Sequence, residues 1–352
     1  MGTVEKLALE VRRGLEEALP GLRKTILKKL PLAVAALLES RSPNTMEISG
    51  ILPLDSENVD TREQWLRRLL KNRLLISSDI LSPFGRRVLS EVSAEGQTIL
   101  LSMDQTEIED RFAILMISVR VGDRSLPLVW HVEAGAANIG FEGQRALLEK
   151  VKSWLPTGAS VMLLADRFYP SAALFEWLKA AGWQYRLRLK GNLAVDIGCA
   201  GITTTGELAA GMQARYEPEA RLFGAGIATA IGVLHEAGHK EPWIIAMDCM
   251  PTRATVLDYG ARWSIEPTFS DFKTRGFRLE DTQLEYPDRL DRLLLIMTLA
   301  MYWCVVAGRE AAINHPTPTE KKPGNRKTRT IPSSKNSIAA HSRGSSVDCG
   351  CY

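Results

Sequence analysis

The chain has 352 residues, 45% apolar and 24% charged, a balance that suits a soluble globular protein with a sizeable core and excludes a fibrous or wholly disordered one. Its formal net charge of only +3 excludes an argument for a polyanionic partner from the total alone. Locally the ends are basic: residues 1–90 carry 15 Lys/Arg against 11 Asp/Glu, and residues 315–352 carry 7 against 2.

The first 75 residues read as helices. VEKLALEVRRGLEEAL, LRKTILKKLPLAVAALLES and REQWLRRLLKNRLL repeat apolar residues three and four apart, with Pro20, Pro31, Pro43 and Pro53 as punctuation. A small helical domain over 1–90 is expected. From residue 97 the period changes to two. QTILLSMD, RFAILMISVRVG and SLPLVWHVE read as three successive strands, with Gly122-Asp123 as a hairpin turn. An amphipathic helix follows, with Leu147, Leu148, Val151, Trp154 and Leu155 on one face, and then ASVMLLAD, a strand apolar enough to be buried on both faces. Ser171 and Gly182 bracket a short helix, AALFEWLKAA, and WQYRLRLK is a further strand. Residues 191–256 read as a β-rich insertion. Helix returns at about 258–275 and 288–308, and residues 309–352, rich in Pro, Ser, Lys and Arg, are expected to be a disordered basic tail.

This order predicts an α/β fold: a mixed sheet with helices on both faces, interrupted by the insertion and preceded by the helical domain. The catalytic part would span 91–308. The apolar run Leu293–Gly308 reaches about 24 Å as a helix, short of a ~30 Å hydrocarbon core, and reads as a buried helix. The five cysteines, Cys199, Cys249, Cys304, Cys349 and Cys351, form no paired framework and no C-x2-C zinc site. With no signal-peptide pattern at the N-terminus, a reducing cytoplasmic location and no membrane partner are expected.

The chemistry rests on which carboxylates can meet. Asp104 follows the apolar ILLSM and Asp166 follows VMLLA; if those strands are parallel neighbours, both acids emerge at one carboxyl edge, where open α/β sheets place ligands. Two hard carboxylates there suit Mg²⁺. On a helical wheel, Tyr259, Arg262, Glu266 and Lys273 fall on one narrow stripe, an acid among cations and a phenol. Pro267 directly after the glutamate predicts a bend or restart of that helix.

These residues carry a resemblance. Y-x2-R-x3-E-x6-K, met at Tyr259, Arg262, Glu266 and Lys273, is the signature of transposases of the insertion-sequence-four family, within the DDE (RNase H-like) group. The D-x-T context of Asp104, the Asp166-Arg167-Phe168-Tyr169 element and the β-rich insertion before the glutamate resemble that family too. The resemblance covers roughly residues 97–308. It implies an RNase H-like fold with Asp104, Asp166 and Glu266 as metal ligands for two Mg²⁺ (or Mn²⁺) ions. Tyr259, Arg262 and Lys273 would then contact DNA phosphates. The implied activity is strand cleavage and strand transfer at element ends, with terminal inverted repeats and target DNA as partners. A homodimer on DNA and a nucleoid-associated place in a bacterial cell follow from the same likeness. The short tail leaves an alternative, a truncated relic that binds element ends without cutting.

Two further features bear on function. In WQYRLRLK, Arg186, Arg188 and Lys190 share one face, and Arg188 is the candidate phosphate contact. His235-Glu236-Ala-Gly-His239 matches the H-E-x-x-H pattern of zinc metalloproteases. The alternating residues before it, Gly238 and Pro242 predict a hairpin loop instead.

Overall fold

The computed structural model of the chain describes residues 2–198, 201–236, 238 and 240–314. The expected disordered tail lies outside these residues from 315 onward. Five helices open the chain: α1 (Thr3–Ala18), α2 (Lys24–Ser40), α3 (Thr45–Ile51), α4 (Val59–Leu70) and α5 (Ser77–Val92). Asn44 and Asn58 cap α3 and α4 by accepting from the backbone N–H two residues on. Pro20, Pro43 and Pro53 fall between helices as expected, but Pro31 lies inside α2. The helix survives because the segment around it is core: Leu30, Ala33, Val34, Ala35, Ala36 and Leu37 are fully buried, and that burial outweighs one lost hydrogen bond.

Three antiparallel strands follow, β1 (Ile99–Ile108), β2 (Phe112–Val121) and β3 (Arg124–Ala134), with Gly122 at positive φ in the β2–β3 turn. Then come α6 (Phe141–Lys152), β4 (Val161–Ala165), α7 (Ala172–Ala181) and β5 (Gln184–Arg188). Ser171 caps α7 and Gly182 ends it at φ 68°, as the sequence predicts. Both β4 and β5 run parallel to β1.

The β-rich region comprises β6 (Ala194–Asp196), β7 (Ile202–Thr204), the short helix α8 (Thr205–Ala209), β8 (Ala214–Leu222), β9 (Ile227–Leu234) and β10 (Trp243–Met247). It does not build a sheet of its own. Strand β10 pairs with β5, so all ten strands share one sheet in the order β3-β2-β1-β4-β5-β10-β9-β8-β6-β7. Helices cover both faces. Phe175 of α7 packs edge-on against Tyr185, while the next residue of β5, Arg186, points the other way and donates to the Thr255 carbonyl in α9 (Arg253–Leu257). Gly232 of β9 is where α9 comes closest: a Cβ there would lie 2.2 Å from Val256 Cγ2.

The helix expected over 258–275 is three helices in series. A 3₁₀ segment (Asp258–Ser264) leads into α10 (Ile265–Ser270), which runs on as a π-helical turn (Asp271–Arg275). The restart anticipated from Pro267 occurs two residues before it, so that Pro267 stands in the first turn of α10, where its missing N–H costs nothing. A final helix, α11 (Pro287–Asn314), runs beyond the expected end at 308.

Residues Met1–Tyr302 form one compact unit; a second, Trp303–Tyr352, is described only through 303–314, which are helical. By length and composition Pro287–Gly308 is long and apolar enough to cross a membrane, longer than the apolar run suggested. Its packing is that of a core helix. Leu290, Leu293, Leu294, Leu295, Ile296 and Met297 are all buried, and Arg292 inside it donates to the carbonyls of Leu70 and Leu75 and pairs with Asp288 at 2.8 Å. Beside it Asp291 accepts from Ser77 Oγ (2.6 Å) and Trp130 Nε1 (2.8 Å), joining α5, β3 and α11 at one carboxylate. Asp291→Ala leaves the Trp130 N–H without an acceptor and the Ser77 hydroxyl with only the residue-291 carbonyl at 3.4 Å, and should cost about 2 kcal/mol, read as a lower midpoint in urea; an unchanged midpoint would show that water replaces the carboxylate.

Candidate active site

The β1–β4 register fixes the site. Met103 lies opposite Ala165, so the residues that follow them, Asp104 and Asp166, emerge side by side at the carboxyl end of β4. Asp104 departs from expectation in one respect: it does not end its strand, since β1 continues to Ile108 by pairing with β2. What ends at that level is the β4 side of the ladder. Asp104 is thereby held on a rigid strand while one flank of it opens. Asp166 opens the turn after β4, its Oδ1 accepting the Arg167 N–H at 2.7 Å.

The segment following α9 crosses this edge. In its 3₁₀ part, Tyr259 and Arg262 are three residues apart and share a face. The Tyr259 hydroxyl donates to Asp166 Oδ1 at 3.3 Å, and Arg262 Nη1 donates to Asp104 Oδ2 at 2.7 Å. Glu266, one α-turn further, accepts from Arg262 Nη2 at 3.1 Å. The three-residue step and the four-residue step together put Tyr259, Arg262 and Glu266 in one stripe, though not for the reason a uniform wheel supplies. Lys273 lies in the π turn that follows. Its Nζ pairs with Glu280 at 3.0 Å.

The segment is pinned from behind. Ser264 and Ser125 share a 2.6 Å hydrogen bond, and the Thr268 hydroxyl donates to the Ser125 carbonyl at 2.7 Å. Ile265 and Phe272 are buried beside them. These polar pins escape a reading of the sequence, because Ser and Thr at helical spacing look like surface. Tyr169 is also missed as a site residue: its hydroxyl donates to Asp104 Oδ1 at 3.4 Å. Its signal is its place, three residues after Asp166 in a turn.

The electrostatics follow from burial. Desolvation pushes the Asp104 carboxyl above its usual range; Arg262 and the Gln105 N–H pull it down, and Asp166 and Glu266 push it up again. Burial lowers the Arg262 guanidinium, but Tyr259 and the three acids outweigh this and hold it firmly charged. Burial likewise pushes the Tyr259 and Tyr169 phenols up, so both remain donors. Arg262 is 7% exposed, and its Nε has no partner among the described residues.

Among the described residues no three Asp, Glu, His or Cys side chains converge closely enough, as they stand, to hold a metal ion. The reason is visible in the bonds above. Arg262 stands between Asp104 and Glu266, and Tyr259 lies on Asp166. The donor set nonetheless fits a hard dication: three carboxylates act on one another, and the cation that bonds to two of them is a side chain.

The cations of strand β5 differ in their surroundings. Arg186 is 3% exposed and bonds to Asp248, Cys249 and the carbonyls of Tyr185 and Thr255, which removes it from any open surface. Arg188, level with Asp166, is partly exposed and lies 3.6 Å from Glu241. Trp243 is core, packed edge-on against Tyr259 and Trp263. The H-E-x-x-H pattern falls in the connection between the antiparallel strands β9 and β10. His235 and Glu236 are not helical, Glu236 pairs with Arg253, and His239 lies outside the described residues.

A family model described as the transposase DDE domain matches residues 121–303, just over half of the chain, beginning after the strand that carries Asp104. No curated protein matches. Among solved structures, a cryo-EM structure of a piggyBac transposase synaptic complex with hairpin DNA is similar at 9% identity and a TM-score of 0.46, over 88% of this chain and 73% of that one.

Proposed function

We propose that this chain, which belongs to the transposase DDE domain family and acts in DNA transposition, cuts and joins strands at insertion-sequence ends with Asp104, Asp166 and Glu266 as its metal ligands. The observation that carries the reading is the Met103–Ala165 register, which sets two acids side by side, with Arg262 joining the first of them to Glu266. The Y-x2-R-x3-E-x6-K signature supports assignment to the insertion-sequence-four family.

Two Mg²⁺ or Mn²⁺ ions would activate a water or 3′-hydroxyl and stabilise the leaving oxygen of an in-line displacement. The chain's own part is to hold oxygen donors on a rigid edge. Asp104 is fixed by β1, Asp166 by the turn after β4, and Glu266 by the Ser264 and Thr268 pins on β3. Tyr169 and Tyr259 donate to Asp104 and Asp166 and so orient them. Arg262 offsets part of the site's negative charge and, once released, stands ready for a phosphate. In this reading Lys273 and Arg188 also contact phosphates, the helices of 1–90 read the element's end, and two copies act together on DNA. A labelled end fragment incubated with Mg²⁺ or Mn²⁺ should be nicked, and EDTA should abolish the nicking. Cutting that persists in EDTA would overturn the metal assignment.

Deleting residues 1–90 would remove Ser77, Leu70 and Leu75, which bond to Asp291 and Arg292, so end binding is better tested by substitution. Arg68 and Lys71 lie exposed on and just after α4. Arg68→Ala, Lys71→Ala and Lys273→Ala should each weaken end binding and lower the slope of log K against log salt by roughly 0.9 per lost phosphate contact. An unchanged slope at any of them removes that residue from the interface.

A further inference from the structure

We propose that Arg186 is a positioning residue for the carboxylate site, a buried clamp that fixes where the segment carrying Tyr259, Arg262 and Glu266 crosses the sheet edge. This role rests on the DNA-cutting reading above and adds to it a residue that touches neither DNA nor metal.

Arg186 is 3% exposed, and an arginine carries its N–H donors in a rigid planar fork. Burial on that scale is tolerable only because the fork is filled. Nε donates to the Thr255 carbonyl at 3.0 Å, Nη1 to the Tyr185 carbonyl at 2.8 Å and to Asp248 Oδ1 at 2.9 Å, and Nη2 to Cys249 Sγ at 3.2 Å. Asp258 Oδ2 stands 3.6 Å from Nη2 and completes the ring of partners. The fork thereby ties together three pieces of chain. They are β5, which bears it, the residues just after β10, and the end of α9 with the first residue of the 3₁₀ segment.

The third piece is the root of the segment that crosses the carboxylates. Thr255 gives its carbonyl to Arg186, where a continuing α-helix would offer it to the N–H of Tyr259, four residues on. The chain instead tightens to 3₁₀ from Asp258. That tightening supplies the three-residue step by which the Tyr259 hydroxyl reaches Asp166 and Arg262 reaches Asp104. Ser264 and Thr268 pin the far end of the segment to β3, and Arg186 pins the near end to β5. Tyr259 and Arg262 stand between the two anchors. A buried ion pair adds little stability over an apolar pair of the same size, so what the Arg186–Asp248 pair supplies here is a single position for the chain it ties.

The test compares Arg186→Lys with Asp291→Ala, whose lost bonds join α5, β3 and α11 and not this segment. Lysine keeps the charge, but its one nitrogen cannot reach all the acceptors of the fork. Two readouts are taken on the folded protein: hydrogen–deuterium exchange of the amides of 256–266, and the rate of nicking of an end fragment at saturating DNA and Mg²⁺. Arg186→Lys should exchange faster there and nick roughly 100-fold more slowly, the cost that a displacement of about 1 Å can carry. Asp291→Ala should match the unaltered chain in both. Asp258→Asn weakens one arm of the clamp at a half-exposed carboxylate, so it should fold and move both readouts the same way by a smaller factor. An Arg186→Lys variant that exchanges and nicks like Asp291→Ala would overturn the role. So would faster exchange with normal nicking, which makes Arg186 a structural tie alone, or slower nicking with unchanged exchange. Should Arg186→Lys not fold, Asp258→Asn decides by the same outcomes. If even the unaltered chain never nicks, the carboxylate reading falls, and the exchange comparison still tests the clamp.

Discussion

Asp104→Asn, Asp166→Asn and Glu266→Gln should each retain binding to an element-end fragment and lose nicking by orders of magnitude. The two effects separate because the three acids, as proposed metal ligands, do not hold the DNA. They repel it. Removing one negative charge from an edge where Asp104 already feels Asp166 and Glu266 lowers the repulsion of an incoming phosphate, so affinity without metal should rise slightly. Each replacement amide keeps the shape and one acceptor oxygen, and the pins on β3 are untouched. In Asp104→Asn that one oxygen cannot serve both Tyr169 and the buried Arg262, so this variant should also lose stability, and only its folded fraction is compared for cutting. The check is a gel shift and a nicking assay on the same fragment, with near-UV circular dichroism alongside. A variant that cuts normally is not a ligand.

Arg262→Ala should show the largest stability effect in the site. Arg262 and Asp104 are both mostly buried and lie 2.7 Å apart. Breaking such a pair from one side leaves a charge in a poor environment, typically at about 3 kcal/mol or more. The Glu266 arm adds little, because that carboxylate is largely exposed. The direction with metal is the informative part. In the unaltered protein Arg262 competes with a dication for Asp104 and Glu266; in the variant that competition is gone. Millimolar Mg²⁺ should therefore raise the melting temperature of Arg262→Ala more than that of the unaltered chain. Equal shifts would mean that Arg262 and the ion do not share a site.

Much of this fold was legible because its elements sit where periodicity changes. The alternation after residue 97, the turn at Gly122 and the Ser171 and Gly182 brackets of α7 each have one local cause, and the structure carries each of them. The apolar run ending in Asp166 placed that residue at an edge for the same reason. The meeting with Asp104 was harder to read, since β1 goes on past it. The strand's partner changes there while its own pattern does not. How the β-rich insertion joins the fold was not legible, because a run of short strands looks the same whether it forms its own sheet or extends an existing one; only the β5–β10 pairing decides. A wheel of uniform period set Tyr259, Arg262, Glu266 and Lys273 on one stripe, but it could not show the π turn that carries Lys273 or the pairing of Lys273 with Glu280. The burial of Arg186 was not legible either. Alternation puts it on a face, but alternation cannot say that Asp248 and the Thr255 carbonyl wait on that face.

The most direct measurement is anomalous diffraction from crystals of the unaltered chain soaked in Mn²⁺. The account predicts manganese peaks among Asp104, Asp166 and Glu266, with the Arg262 guanidinium moved off Asp104 to make room. Peaks elsewhere on the molecule, or a soaked crystal in which Arg262 keeps both its carboxylates, would contradict it.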